Sequence, residues 1–537
     1  MQNTFFKCLL VCIIFSACKN NNNNKLTEHK VYTRDTSITK KNAYNNLFLD
    51  TTLLEHFITQ QNVNDVAADA MRSFYYSRNF EFAWFARYSI AEQAREFWNL
   101  ANYNTTTLKD TIVYYKTLNK RMPDLTADDT VWASAKDTGI VKTELMLTDA
   151  FLCYITQNSN RQVTAEQLAQ YLPTKKTDVL DAAAQILKSN NELWINDDAK
   201  QAYNNLKNQL ALYYAAAEKG GWKNIAYIGN RIKKGEASAV IPSIKYRLKA
   251  TGYYSGDETS DVFDTVLFDA IKKTQAGFGY KSDGAIGDSL IKDLNVPART
   301  RVEQILVNLN RVKWTPQPAN GRLITANIPE YKLHVFEDKK KAFDMDVVVG
   351  KQSSATVIFT GNLTNIVFSP YWNIPPSIIK KEILQKMQDD TGYLAKQNME
   401  IKGYKNGLPV VRQLPGANNS LGRVKFIFNN SYNIYFHDTP AKEIFNRRKR
   451  AYSHGCIRLS EPVKMASYLL DFDTSWTPAK ITLAMNSPTE IYAPLKHGVP
   501  VIITYYTAWV DKAGILNFRD DIYGHDADVA AKMFTNP

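Results

Sequence analysis

From about residue 45 to 235, apolar residues recur every three or four positions. That spacing lines one face of an α-helix. "VNDVAADAMRSFYYSRNFEFAWF", "SIAEQAREFWNLANY", "AEQLAQYL" and "DAAAQILKSN" carry it most clearly. No cluster of His, Cys and paired carboxylates interrupts them, so residues 46–240 read as a packed helical scaffold. Glycines in "KGGWKNIAYIGNRIKKG" break the period near 220–238 and mark a boundary. A small unit follows over 241–297. There "IPSIKYRLKATGYYSG" predicts a helix stopped by Gly252, and the next stretch predicts a second helix, a turn at Asp283-Gly284 and a third helix. "ARTRVEQILVNLNRVKW" predicts an amphipathic helix within a connection spanning 298–321.

From about residue 322 the pattern changes to alternating or β-rich blocks separated by turn residues. "RLITANIPEYKLHVFED", "AFDMDVVVG" and "TNIVFSPYW" read as strands, and "SIIKKEILQKMQ" (377–388) as a helical insertion. "GRVKFIFNNSYNIYFHD" predicts a hairpin turning at Asn429-Asn430-Ser431. "VKMASYLLDF" predicts a helix and "GVPVIITYYTAWVD" a late strand. Residues 322–510 thus form a β-rich domain, with 511–537 as a C-terminal tail. The expected fold class is α+β and multidomain: helical scaffold, three-helix module, then the β-rich domain with its helical insertion.

A chain of 537 residues is too long for a single core. Its formal charge of +13 is modest for that length and comes without a C-x-x-C pair, an RNA-type aromatic motif or a long basic tail. The excess suits an anionic polymer or a membrane surface better than nucleic acid. The N-terminus is more specific. Lys7 precedes an apolar run from Cys8 to Phe15, too short to span a bilayer, and then Ser16-Ala17-Cys18. This resembles the lipobox of bacterial lipoproteins. It implies a signal peptide over 1–18, lipid on Cys18, and a periplasmic, membrane-anchored protein. The polar, Asn-rich stretch 19–45 lacks periodicity and is expected to be a disordered tether. Cys153, in the apolar helix "LTDAFLCYITQ", and Cys456 are both expected to be free thiols.

Three reactive side chains stand close in sequence: His437, His454 and Cys456. His437 ends the strand "NIYFHD". His454 and Cys456 are two apart and would share a face if extended. A free thiol is only a few per cent thiolate at neutral pH. A neighbouring imidazolium is expected to lower its pKa and later protonate a leaving amine. The N–H groups of Gly455 and Cys456 are candidates to face a developing oxyanion, and Arg458 to meet a substrate carboxylate. Two other readings stand beside this one: a zinc site built on the same residues, and a buried structural cysteine with hydrogen-bonded histidines.

"IYFHDTP" followed by "RAYSHGCIRLSEP" resembles the signature of the L,D-transpeptidases, the YkuD-type cysteine enzymes of bacterial cell walls. "MDVVVGKQSSATVIFTGNLTNIVFSPYWNIPPSI" and "LPGANNSLGRVKFIFNN" extend the resemblance upstream. Residues 241–296 resemble a peptidoglycan-binding three-helix module in "AIKKTQ" and "DGAIG", and the N-terminal region resembles the scaffold of the large multidomain branch. The resemblance implies Cys456 as nucleophile, His437 as base and acid, and the Asp438 carbonyl as its orienting group. It implies Gly455 and Cys456 as oxyanion donors, and His454, Arg458, Tyr371 and Trp372 as substrate-binding residues. A lid over about 375–415 is implied as well.

The implied reaction is a 3→3 cross-linking of peptidoglycan through a Cys456 thioester, with release of D-alanine and no metal or organic cofactor. Its implied partners are a tetrapeptide stem as donor, a stem-peptide amine as acceptor and a membrane through the N-terminal lipid. The chain is expected to act as a monomer. Three alternatives remain open at this point: an L,D-carboxypeptidase on the same fold, a non-catalytic wall-binding lipoprotein, and attachment of an outer-membrane protein through a lysine acceptor.

Overall fold

The computed structural model describes residues 33–103, 112–126, 131–158, 163–190, 192–194, 196–316 and 320–535. The expected signal peptide and lipidated Cys18 lie outside the described residues. Helices at Thr51–Gln60, Asp65–Ser77, Glu92–Tyr103, Tyr115–Thr126, Thr138–Asn158, Val179–Lys188 and Asp197–Glu218 build the N-terminal region. Asp50, Asn64, Asp178 and Asn196 cap four of them, each side chain accepting a first-turn N–H. A short ribbon of β1 (Phe85–Ala86) and β2 (Ser89–Ile90) joins them. At the centre of this core Phe151 packs edge-on against Trp84 and Phe97 and tilted against Trp314.

The expected tether over 19–45 extends too far. Ile38 is fully buried, Ala43 and Tyr44 nearly so, and Ala43 pairs with Lys175. Asp35 and Asn42 accept from the main chain at Ser37 and Thr39. Side chains that look disordered by composition serve here as turn formers. The small unit is the expected three helices, Ile241–Ala250, Thr265–Gly277 and Asp288–Leu294, around Ile244, Leu267, Ile271 and Ile291.

The strands of the next region are β3 (Arg322–Asn327), β4 (Lys332–Glu337), β5 (Lys340–Gly350), β6 (Thr360–Phe368), β7 (Trp372–Asn373), β8 (Met399–Lys405), β9 (Leu408–Gln413), β10 (Val424–Phe428), β11 (Phe436–His437), β12 (Ala451–Ser453), β13 (Ile457–Leu459) and β14 (Ile491–Thr504). Nine of them form one sheet in the order β12-β5-β13-β11-β10-β6-β14-β3-β4. β4 also pairs with β5, so the sheet curls round and closes. Alternation drives it: in β10, Val424, Phe426 and Phe428 turn inward while Lys425 and Ile427 do not. Leu333, Val347, Ile366, Phe436, Ile457 and Leu459 fill the interior, and helix Pro462–Leu470 covers it through Met465 and Leu469.

Between β6 and β10 lies the insertion. It holds short helices over Pro376–Asp389, with a π-helical turn at Ile379–Ile383, and a three-stranded sheet ordered β7-β9-β8. Ile374, Ile378, Ile379, Ile383 and Val411 give it a small core of its own. Its β8–β9 hairpin escaped a reading by pattern because β8 has no buried face. The β10–β11 reversal is also longer than expected, running from 429 to 435. Asn430 holds it, donating to Phe428 O and Ile434 O and accepting from the N–H groups of Tyr432 and Ile434.

Residues 511–537 are no tail as far as the described residues run. β15 (Ala508–Val510) pairs with β16 (Leu516–Phe518), helix His525–Met533 follows, and Phe534 pairs with Thr177. All this packs on helix Ala298–Val312, where eleven of fifteen residues are buried. That helix is therefore central rather than one-sided. Its polar side chains are satisfied inside. Arg311 bonds Glu92 and Asp526, and Asn308 exchanges hydrogen bonds with Thr507 at 2.7 and 2.9 Å. Asn308→Ala leaves the Thr507 N–H buried without an acceptor. The expected loss is about 1–3 kcal/mol in denaturant unfolding, with earlier proteolysis of the C-terminal segment.

Candidate active site

β11 and β13 run parallel, with Phe436 opposite Ile457 and His437 opposite Arg458. Phe436 and Ile457 are fully buried in the interior. Side chains alternate along a strand, so His437, Arg458 and Tyr435 project to the other face. Cys456 immediately precedes β13 and lies beside Tyr435. These four side chains line one cleft of about 1400 Å³. The fold thus brings His437, Cys456 and Arg458 together, and adds Tyr435, which the sequence reading missed. Its position two residues before His437 on one strand was the available signal.

A bend carries the thiol. Gly455 has φ 113°, which disfavours any side chain. Ser453 Oγ donates to Cys456 O at 2.5 Å and accepts the Gly455 N–H at 3.2 Å. Thr356 Oγ1 donates to Gly455 O at 2.8 Å and accepts from Gly350 N. Tyr523 OH in turn donates to Gly350 O at 2.6 Å and accepts from Thr356 N. Two expectations change as a result. The segment 454–456 is bent, so His454 diverges from Cys456 and reaches Glu382 in the insertion, at 3.0 Å. The Gly455 N–H is committed to Ser453, leaving the Cys456 N–H as the candidate oxyanion donor of the pair.

His437 is 4 % exposed, and its Nδ1 lies 2.5 Å from Asp438 O. With Nδ1 assigned as the donor, Nε2 is left as the base. The Asp438 side chain is engaged too. Its carboxylate accepts from Arg423 N at 2.9 Å, Thr439 N at 2.7 Å and Lys442 Nζ at 2.6 Å. It packs so closely on Gly422 (φ 63°) that a Cβ there would fall 2.4 Å from the carboxyl group.

Burial governs ionisation here. It pushes the His437 imidazole down to about 3, and the charge of Arg458 acts in the same direction. It raises the Cys456 thiol to about 11, against hydrogen bonds from the Tyr435 main chain and side chain and the charge of Arg458. Burial thus favours the neutral form of each group over the resting imidazolium beside a thiolate expected from sequence. The thiol donates to Asn433 O at 3.6 Å.

Around this centre, Trp372 pairs through β7 with Gln413 of the insertion. Tyr371 N donates to Glu490 at 2.7 Å, and Arg412 lies 4.1 Å from the Tyr371 ring centre. Both aromatic residues line the cleft. Arg458 Nε is buried with no hydrogen-bond partner among the described residues. Cys153 and Cys456 are both outside any disulfide. Among the described residues no group of three His, Cys, Asp or Glu is placed to hold a metal ion.

Three family models match parts of this chain. The L,D-transpeptidase catalytic domain (YkuD) matches residues 321–503, a scaffold domain matches 69–216, and a "Putative peptidoglycan binding domain" matches 239–294. A Haemophilus influenzae protein named "Putative L,D-transpeptidase" is 33 % identical over 243 residues, 42 % of this chain and 49 % of that protein. The chain thus matches about half the length of that curated relative. Solved L,D-transpeptidase structures from Stackebrandtia nassauensis and Xylanimonas cellulosilytica share 15 % and 12 % identity. Each covers 52 % of this chain, with 96 % and 99 % of their own length and TM-scores of 0.22 and 0.18. One from Mycobacterium smegmatis shares 17 %, covering 34 % of this chain and 58 % of its own, with a TM-score of 0.20. Such slight superpositions carry no weight, and the sequence matches do. By these matches residues 321–503 carry an L,D-transpeptidase catalytic domain, with a scaffold domain and a peptidoglycan-binding domain ahead of it.

Proposed function

We propose that this chain cross-links peptidoglycan stems 3→3, with Cys456 as nucleophile and His437 as base and acid. The observation that carries the reading is the β11–β13 register, which puts a buried imidazole and a thiol on one face of one cleft. The same reading makes the protein a periplasmic lipoprotein tethered through Cys18. The small three-helix module over 241–297 then holds the polymer near the 322–510 catalytic domain, with 375–415 as lid.

The reaction begins from neutral groups. As Sγ bonds to the carbonyl carbon of the third stem residue, the thiol turns from Asn433 O and gives its proton to His437 Nε2. The Tyr435 donors and Arg458 stabilise sulfur's developing charge, and the Cys456 N–H meets the oxyanion. His437 returns the proton to the amine of the departing D-alanine, leaving a thioester. A stem-peptide amine then attacks, the C–N bond forms and the C–S bond breaks. The unpartnered Arg458 Nε offers a ready donor to a substrate carboxylate. Water in place of the amine would give a carboxypeptidase instead.

The wild-type chain is expected to gain the mass of one carbapenem. Cys456→Ala gains none, and His437→Gln acylates at least about 100-fold more slowly. Disaccharide-tetrapeptide should yield 3→3 dimer and free D-alanine by mass spectrometry. Tripeptide alone at every acceptor concentration identifies the carboxypeptidase instead.

The raised thiol sets a second expectation. Below its pKa of about 11 the thiolate fraction grows with pH. Iodoacetamide labelling of Cys456 should therefore rise about tenfold per pH unit between pH 7 and 10. Tyr435→Phe removes a donor to the thiolate and should slow labelling at each of these pH values. A plateau beginning near pH 7 would show an ionised resting thiol.

A further inference from the structure

The charged residues that line the cleft are cations with a single exception. Lys351, Lys381, Lys425 and Arg458 are positive, and Glu382 is the one carboxylate among the described lining residues. Lys425 is offset by Glu490 behind it, at 3.2 Å. Among the described residues Glu382 has no such neutralising lysine or arginine. Its partner is His454 at 3.0 Å, two residues before the nucleophile, and both side chains are about two-fifths exposed. The π-helical turn explains its direction. Ile379 and Ile383 of that turn seal the insertion's own core, while Glu382 is left facing the catalytic bend. Wide turns of this kind recur at functional sites.

We propose that Glu382 is the recognition group for the acceptor amine, which arrives as an ammonium ion. The inference rests on the transpeptidase reading above and adds the acceptor subsite to it. The two substrates differ in what they bring to the reacting carbonyl. The donor ends in a carboxylate, which the cationic lining suits. The acceptor brings a positive nitrogen, and among the described lining residues only Glu382 offers it a negative partner. Arg458 and His454 flank Cys456 on opposite sides along the chain, so the two charges have separate places beside one sulfur. The ammonium displaces His454 as the partner of Glu382, and its nitrogen is held next to the thioester. It sheds one proton to solvent to become the nucleophile. It passes the second to His437 as the C–N bond forms, and the sulfur leaves as thiolate to be reprotonated by His437. Without the carboxylate, water competes better for the thioester.

The test compares wild type, Glu382→Gln and Glu382→Asp in three measurements: the rate of carbapenem acylation, KM for donor and for acceptor, and the ratio of cross-linked dimer to hydrolysed tripeptide. Glu382→Gln should acylate at the wild-type rate, raise the acceptor KM at least about fivefold, and shift product toward tripeptide. Glu382→Asp should fall between. Acylation that drops in step with cross-linking would mean that Glu382 only holds the insertion closed, and overturns the proposal. A raised donor KM with an unchanged acceptor KM would assign the carboxylate to the donor and overturn it too, as would no change in any measurement. Wild-type protein that is never acylated would instead sink the transpeptidase reading itself.

Discussion

The site depends on a parallel pairing of two very short strands. β11 and β13 exchange few hydrogen bonds, and parallel neighbours need a crossover, supplied here by residues 438–456. Yet their register decides which side chains meet. A slip of one residue would turn Arg458 into the hydrophobic interior and bring Ile457 into the cleft. The register is pinned by the cost of that exchange. Phe436 and Ile457 are both fully buried, and burying the Arg458 charge in their place would be far more expensive.

Segments distant in sequence hold the two halves of the site in shape. The bend carrying Cys456 is braced by Thr356, and Thr356 by Tyr523 of the C-terminal segment. The reversal that presents Asn433 and Tyr435 is touched by the N-terminal region, through a hydrogen bond between Thr126 and Tyr432. Helix Ala298–Val312 ties those outer parts together, with Arg311 bonded to Glu92 on one side and Asp526 on the other. A buried cation with two carboxylate partners is costly to break. The geometry of the site therefore draws on the N-terminal region, the central helix and the C-terminal segment as well as on the domain that bears it.

Burial also shapes the chemistry. Excluding water from His437 and Cys456 disfavours both the imidazolium and the thiolate, so neither is preformed. Arg458 breaks the symmetry, since its charge opposes the imidazolium and favours the thiolate. In the proposed mechanism, charge separation is then confined to the moment when sulfur bonds to substrate, which limits side reactions of an exposed thiolate.

The amino-acid sequence by itself determined the match of its β-rich part to an L,D-transpeptidase catalytic domain, the order of helical, small and β-rich parts, and the candidacy of His437, Cys456 and Arg458. These are legible because long periodic segments and a dense motif are local properties. The three helices of the small module are of this kind. Other features were decided only by tertiary structure. Ile38, Ala43 and Tyr44 are too sparse to form a pattern, yet they are buried by partners far along the chain. Residues from 511 onward look like an appendage until their packing on a central helix is seen. The bend at Gly455 turns His454 toward Glu382 and uses up an amide expected to face substrate. The ionisation of the thiol and imidazole follows from how much protein surrounds them. Each of these depends on distances between residues remote in sequence, which a one-dimensional pattern does not encode.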